Sequence, residues 1–506
     1  MNTLYDLYKQ HPCITTDSRD CPPGSIFIAL HGDRFDGNQF ALQALEKGCA
    51  YAVIDNEDAV AASHPSPLIS RLIKVPDTLQ ALKDIAREHR RQFDIPVIAI
   101  TGTNGKTTTK ELVRAVLSEK YNVLATEGNF NNDVGVPKTL LRLCPEHEIA
   151  IIEMGASHPG DIKTLVETAE PTCGIITNVG RAHLQGFGSF EGVCKTKGEL
   201  YDFLRTRENG LVFVNADNDY LLDMLDGPTP SPSPEGRGAA ATEASSSGED
   251  WRDPSTLNSQ LWITPYSIDP EKQYTCISGE IVREEGNPLL KLRWRRPLMD
   301  LEETGASQKW HKVQTQLIGD YNIDNVMAAI AVGINFGVDR KSICRALENY
   351  KPTNSRSQLV DTERNRLIVD AYNANPTSMM ASLENFLLMP TSKVSHKDDP
   401  SPLTSYPSPL TSHPSPLKKM AILGDMLELG PTSHEEHQRI VDYLEASGLA
   451  EVWLVGHEFG ATTTTYRKFA DVDEVKAHLQ AHCPEGHLIL IKGSNSTRLH
   501  QLPALL

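Results

Sequence analysis

The sequence predicts an α/β fold divided among three domains, and three observations carry the prediction. Short apolar runs alternate with helical stretches through most of the chain, the pattern of parallel strands covered by helices. That alternation gives way to segments of antiparallel character and then resumes in the last third. The chain also has 506 residues, enough for about three domains of ordinary size.

Residues 1–95 form the first expected domain. Within it, 25–30 and 50–54 read as buried strands with a helix over 38–47 between them. The second expected domain covers 96–350. Its apolar run at 95–101 ends at a glycine and is followed by a helical stretch over 108–119. Further strands are expected at 148–153, 173–178 and 210–215, which together make a parallel sheet. Beyond residue 261 the pattern changes: 289–294 reads as an antiparallel strand, and a helix follows over 322–336, where Ala328, Ala329 and Ala331 permit close packing. The third expected domain, 351–506, carries strands at 367–371, 419–423, 451–455 and 488–492, alternating with helices as a second, Rossmann-like α/β unit.

Two stretches stand outside this order. Residues 228–250, within an insertion of about 228–260, are rich in Pro, Ser, Gly and Ala. Residues 391–418 contain the near-repeat SPLTSY and SPLTSH, and 64–68 echo it upstream. Recurrent proline supports neither a helix interior nor a central strand, so both are expected to be disordered surface insertions.

Composition excludes several function classes. The formal charge of −17 argues against a general nucleic-acid or anionic-membrane surface. No apolar run approaches the ~20 residues that span a bilayer, and residues 1–5 lack the charged and apolar regions of a signal peptide. Nine cysteines without C-x-x-C spacing indicate neither a zinc site nor a disulfide framework. A cytoplasmic protein acting as a monomer is expected.

The segment Gly102-Thr103-Asn104-Gly105-Lys106-Thr107 joins an apolar strand to a helix. In that context glycines let backbone N–H groups turn onto phosphate oxygens, and the helix N-terminus adds a favourable dipole. Lys106 supplies a point charge for the terminal phosphates and Thr107 a hydroxyl for Mg²⁺. The spacing G-x-x-G-K-T is shorter than the usual phosphate loop. Glu153 closes the strand at 148–153, where the ligand crevice of an open α/β sheet lies, and a carboxylate there suits Mg²⁺. His183 follows the strand at 173–178, and Lys195 and Lys197 come shortly after it. Spacing alone gives none of these three a role.

The motifs TGTNGKTTT (101–109), GNFNNDVGVP (128–137), EMGASHPGDI (153–162), AHLQGFGS (182–189), GDYNIDNVMAA (319–329), DAYNANP (370–376) and LGDMLELG (423–430) lie in order along all three expected domains. In these the chain resembles the Mur ligase family, ATP-dependent amide-forming enzymes of cell-wall precursor synthesis, and within it the dipeptide-adding branch. The short phosphate loop is that family's own form. The resemblance implies that residues 1–95 bind a UDP-linked substrate, 96–350 ATP, and that 351–506 complete the ligase. It implies that Gly102, Thr103, Asn104, Gly105, Lys106, Thr107 and Thr108 grip ATP, with Asn322, Asn325, Asp370 and Asn373 on the nucleotide. Lys106, Glu153, His183 and Lys197 would be catalytic. Thr107 and Glu153 would hold one Mg²⁺; His183 and Lys197, as a carbamate, would serve a second. Ser18, Arg19, Asp36, Gly37, Asn131 and Asn132 would bind substrate. The implied partners are UDP-N-acetylmuramoyl-tripeptide and D-alanyl-D-alanine, with ATP and Mg²⁺ as cofactors. Tyr321 and Asn38 stand where the family commonly has histidine, and Lys138 where an apolar residue is usual. A sibling ligase adding one amino acid, a folylpolyglutamate synthase, and a silent UDP-sugar-binding scaffold are the alternatives.

Overall fold

A computed structural model describes residues 3–32, 35–60, 67–225, 261–269, 272, 275–284, 287–297, 309–352, 356–389, 391 and 416–506. The two expected insertions, at about 228–260 and 391–418, lie outside the described residues apart from 391 and 416–418. The chain divides into two compact units. The first holds Met1–Ala99, Tyr121–Gly155 and Asp161–Thr172, and the second holds Ile100–Lys120, Ala156–Gly160 and Cys173–Leu506.

In the first unit, strands β1 (Ile14–Thr15), β2 (Ile26–Ile28), β5 (Tyr51–Ile54) and β6 (Leu72–Lys74) lie side by side in that order, all parallel. A two-stranded ribbon, β3 (His31–Gly32) with β4 (Phe35–Asp36), projects from the chain between β2 and β5. The core on one face is Phe27, Ala41, Leu45 and Ile54; on the other it is Tyr8, Ile28, Val53, Leu82 and Ile85. The helix Thr78–Arg90 covers that second face, started by Asp77, whose carboxylate accepts from the Gln80 N–H. Where a helix is expected over 38–47, a 3-10 turn (Gly37–Phe40) precedes the helix Ala41–Glu46. The tight turn follows from Asp36, which accepts from the Asn38 N–H, and from Gly37, where a Cβ would overlap the Leu30 carbonyl. The same unit contains β8 (Val123–Ala125) parallel to β9 (Ile149–Glu153), and β9 neighbours β7 (Val97–Thr101).

The end of β7, Ile100 and Thr101, belongs to the second unit. There it neighbours β10 (Cys173–Ile176). The order continues through β11 (Leu211–Asn215), β12 (Trp262–Ser267), β13 (Ile277–Ile281), β14 (Leu289–Arg295) and β15 (His311–Ile318). Pairing is parallel from β10 to β13 and antiparallel from β13 to β15, so the expected antiparallel segment extends the parallel sheet. β14 alternates buried and half-buried residues, as a strand covered on one face should. The five residues of β7 are all buried, as expected of a strand covered on both faces.

The last third adds a sheet ordered β16 (Gln358–Asp361), β17 (Arg366–Asp370), β21 (His487–Lys492), β18 (Lys418–Gly424), β19 (Glu451–Val455), β20 (Arg467–Phe469). Only β16 is antiparallel to its neighbour. Phe386, Leu383, Ile440 and Leu454 pack one face, and Leu367, Ile422, Ile489 and Leu502 the other. Helices therefore cover both faces, the Rossmann-like arrangement expected.

Candidate active site

The strongest sequence signal lies in the second unit. β7 ends at Thr101, and the helix Lys106–Leu117 begins two residues before its expected start. Gly105 explains the difference: at φ 79° it caps the helix in left-handed backbone, so Lys106 and Thr107 form the first turn. Gly102 has φ 137°, and a Cβ on it would overlap Thr177 Oγ1; a Cβ on Gly105 would overlap Asn325 Oδ1. Both positions demand glycine for backbone conformation and for space.

Residues after β10 hold the loop open. Asn178 Oδ1 accepts from the Asn104 N–H at 2.9 Å, and Asn178 Nδ2 and Thr177 Oγ1 donate to the Asn104 carbonyl at 3.2 and 2.5 Å. The Gly180 N–H donates to Thr103 Oγ1 at 2.9 Å. These bonds end β10 at Ile176 rather than at 178, because Thr177 and Asn178 turn their polar groups to the loop. Lys106 Nζ donates to the Gly102 and Thr103 carbonyls at 2.8 and 3.0 Å, which folds the ammonium back over the loop.

Asn322 and Asn325 support the same loop. Thr109 Oγ1 donates to Asn325 Oδ1 at 2.9 Å, Asn325 Nδ2 to Asn322 Oδ1 at 3.0 Å, and Asn322 Nδ2 to the Ile318 carbonyl at 2.7 Å. Tyr321, in place of the family's histidine, bonds Ser357 at 2.8 Å, and burial raises its hydroxyl pKa. Beside the first helical turn, a pocket is lined by Thr107, Thr108, Glu111, Tyr350, Pro352 and Arg356. The Arg356 guanidinium lies 3.9 Å from the Tyr372 ring centroid, and its Nε is buried without a hydrogen-bond partner among the described residues. A buried guanidinium donor left unmatched is costly unless a ligand completes it.

The last third reaches the loop through Asn375 rather than Asn373. Asn375 Nδ2 donates to Asn104 Oδ1 at 2.7 Å while Asn375 caps the helix Pro376–Leu388; Asn373 is exposed. Asp370 accepts from Lys492 Nζ at 2.5 Å and from Ser382 Oγ at 3.3 Å.

His183 sits at φ 52°, and its Nδ1 contacts the Glu428 carboxylate. Burial, with the charges of Lys106 and Lys197, pushes its pKa down and outweighs the pull of Glu428, so the imidazole is neutral at neutral pH. Its ring meets Phe187 edge-on at 6.2 Å, and Lys197 Nζ lies 5.6 Å from the same Phe187 ring. The fold thus gathers Lys106, His183 and Lys197, with Lys197 only 2% exposed on the helix Phe190–Arg205.

In the first unit, Glu153 is 1% exposed and accepts from Asn131 Nδ2 at 2.9 Å. Asn132 Oδ1 accepts from the Gly135 N–H at 2.8 Å, starting the helix Gly135–Leu140. Arg19 makes a bidentate pair with Asp17, at 2.9 and 2.8 Å, and Ser18 accepts from Lys47 through its carbonyl. Lys138, the residue out of family pattern, donates to Thr16 Oγ1 at 2.7 Å, and burial lowers its pKa. Asn38, in the family histidine's place, bridges Asp36 and Asp55 at 2.7 and 2.8 Å. Burial opposes the charge of Asp55, but bonds from Asn38 and Thr78 win and hold its carboxyl below the usual range. Asp36, Gly37 and Asn38 are therefore organised around Asp55.

Among the described residues no group of three or more His, Cys, Asp and Glu comes together. The Thr107 hydroxyl of the second unit and the Glu153 carboxylate of the first are each hard oxygen donors. Donors of that kind suit Mg²⁺, which keeps waters and takes further ligands from nucleotide phosphates. Among the described residues no helix is long and apolar enough to cross a membrane.

Glu428, Asn375, Thr177, Asn178 and Arg356 were not singled out from the sequence. All but Arg356 lie inside or beside motifs that were, and their signal was a polar side chain at the end of an apolar strand or in the turn after it.

Comparison with known proteins agrees with the geometry. Residues 12–90 match the Mur ligase family, catalytic domain, and residues 100–233 the Mur ligase middle domain. A protein of Escherichia coli (strain K12) named UDP-N-acetylmuramoyl-tripeptide--D-alanyl-D-alanine ligase is 32% identical, over 97% of this chain and 92% of its own. A Bacillus subtilis (strain 168) protein of the same name is 30% identical over the same shares. A crystal structure of MurF from Acinetobacter baumannii superposes with a TM-score of 0.75 at 27% identity, covering 97% of this chain and 92% of that one. With relatives this similar along nearly its whole length, the chain belongs to the Mur ligase family.

Proposed function

We propose that this protein joins D-alanyl-D-alanine to UDP-N-acetylmuramoyl-tripeptide, converting ATP to ADP and phosphate. The observation that carries the reading is the phosphate loop, whose Asn104 is tied at once to Asn178 and to Asn375 of the last third, in a chain whose relatives bear that ligase's name. In this reading residues 1–95 take the UDP-linked substrate, 96–350 ATP, and 351–506 complete the nucleotide site, in a cytoplasmic monomer.

A carboxylate is a poor electrophile. The terminal carboxylate of the tripeptide attacks the γ-phosphorus of ATP, the bond to ADP breaks, and an acyl phosphate forms. The D-alanyl-D-alanine amine then adds to the acyl carbon and loses a proton. The tetrahedral intermediate expels inorganic phosphate, leaving the amide. No covalent bond to the protein is needed. Lys106 and the loop N–H groups offset the charge that gathers as two anions approach, and they are fixed before reaction. Asn322, Asn325, Asp370, Asn373 and Arg356 serve the nucleotide; Ser18, Arg19, Asp36, Gly37, Asn131 and Asn132 the tripeptide substrate. Thr107 and Glu153 would hold Mg²⁺, and His183 with a carbamylated Lys197 a second ion. Bound there, Mg²⁺ supplies Lewis-acid charge to the phosphoryl oxygens. Neutral His183 presents a lone pair, and buried Lys197 has the dry surroundings that carbamylation requires.

Phosphate release from ATP, measured with the tripeptide substrate and either D-alanyl-D-alanine or single amino acids, tests the reading. Release with the dipeptide alone is expected. Release only with a free amino acid would transfer the chain to a sibling ligase.

A further inference from the structure

His183 and Glu428 are 245 residues apart in sequence, yet their side chains touch. Each is a non-glycine residue in left-handed backbone, at φ 52° and φ 62°. Such positions persist when the surroundings over-determine them, and they concentrate where a side chain is needed in one place.

The loop that delivers Glu428 is anchored at its root. Residues 425–430 follow β18. The Asp425 carboxylate accepts from the Glu458 and Phe459 N–H groups at 3.0 and 2.9 Å, and Gly456 leaves no room there for a Cβ. His437 is fully buried. It accepts from the Met426 N–H through Nε2 at 3.0 Å and donates to the Ser433 carbonyl through Nδ1 at 2.7 Å. Both nitrogens are thereby used, and the ring stands edge-on to Phe459 at 4.6 Å. Beyond Glu428 the chain turns again at Gly430, φ 58°, where a Cβ would lie 3.5 Å from Gln185 of the helix Leu184–Phe187. The tip therefore rests on the turn that carries His183.

A carboxylate only accepts, so contact at Nδ1 places the imidazole proton on Nδ1 and leaves the Nε2 lone pair for chemistry. A carboxylate on the second nitrogen of a working histidine fixes its tautomer and ring orientation. We propose that Glu428 is the positioning residue for His183, which makes the 425–430 loop of the last third part of the machinery. The inference rests on the reading of His183 as a member of the catalytic centre.

The test uses the full chain and the variants E428A, E428Q, H183A and H183A/E428A. Turnover in dipeptide ligation is expected to fall about 10- to 100-fold in E428A, with KM for ATP within about twofold and E428Q intermediate. The double variant should be no slower than H183A, because the two residues act as one unit. Nitrogen NMR of ¹⁵N-histidine-labelled protein, with H183A to identify the signal, should find His183 protonated on Nδ1 in the native chain and in mixed tautomers in E428A. A structural loop contact alone would lower thermal stability and leave the tautomer unchanged, overturning the proposal. Wild-type turnover in E428A beside a crippled H183A would refute the positioning role alone. Wild-type turnover in H183A would refute the reading of the centre, and the positioning role with it.

Discussion

The phosphate loop and the loop at 425–430 both turn through left-handed backbone, but they use opposite kinds of residue to do it. Gly102 and Gly105 have φ 137° and 79°, and neighbouring side chains exclude any Cβ. Glu428, at φ 62°, retains a long side chain in a conformation that costs about 1–2 kcal/mol without glycine. Backbone approach is what the first loop needs. The second needs a carboxylate at one point, and the anchoring of Asp425 and Met426 sustains the strain. The difference separates two sources of function in one fold: a loop that binds with its main chain and a loop that acts through one side chain.

Four substitutions can break or sharpen that contrast. The largest effect is expected from Lys106→Ala, which removes the charge at the head of the helix. Turnover should fall about 100- to 1000-fold, read by ATP-dependent phosphate release, and full activity would refute the loop's assignment. Next comes Gly105→Ala, which adds both left-handed strain and overlap with Asn325. Chemical denaturation should show a loss of about 2–3 kcal/mol; wild-type stability would mean the loop relaxes freely. Glu428→Gly should behave in the opposite way. Relief of strain roughly cancels the flexibility gained by the unfolded chain, so stability should stay within about 1 kcal/mol of wild type, while turnover falls about tenfold or more.

The smallest effect concerns a charge beside the phosphate-loop support. Asp324 precedes Asn325, and burial, with Asp217 nearby, pushes its carboxyl up to about 6. Its folded pKa lies above the unfolded value of about 3.9. The stability it contributes is complete below about pH 4 and is lost as pH rises to about 6. Asp324→Asn should therefore stabilise the protein by about 1 kcal/mol at pH 7.5 and by nothing near pH 4, the gain being limited by residual solvent access. A gain independent of pH would mean that packing, not charge, sets the cost.

The same contrast explains what the sequence made legible. Parallel strands buried on both faces, such as β7, β9 and β21, are continuous apolar runs and were placed within two residues. The phosphate loop was legible because glycine is the direct mark of left-handed backbone. The helix start at Lys106 was missed by two residues because Lys106 and Thr107 read as loop until the Gly105 cap is seen. Glu428 and Asn375 are harder to read for a different reason. Their partners are long-range, 245 residues away for Glu428 and 271 for Asn375, and a left-handed glutamate looks like any other glutamate. Asn38 shows the reverse case: it stands where the resemblance leads one to expect histidine, and the fold uses its amide to tie Asp36 to Asp55.

The central claim is that the protein activates a carboxylate by phosphorylating it. The most direct measurement labels the terminal carboxylate of the tripeptide substrate with ¹⁸O and follows the released phosphate by mass spectrometry. An acyl phosphate carries one carboxylate oxygen away with its phosphorus, so the account predicts one ¹⁸O atom in each phosphate released during ligation. Phosphate free of the label, formed alongside the amide product, would contradict it.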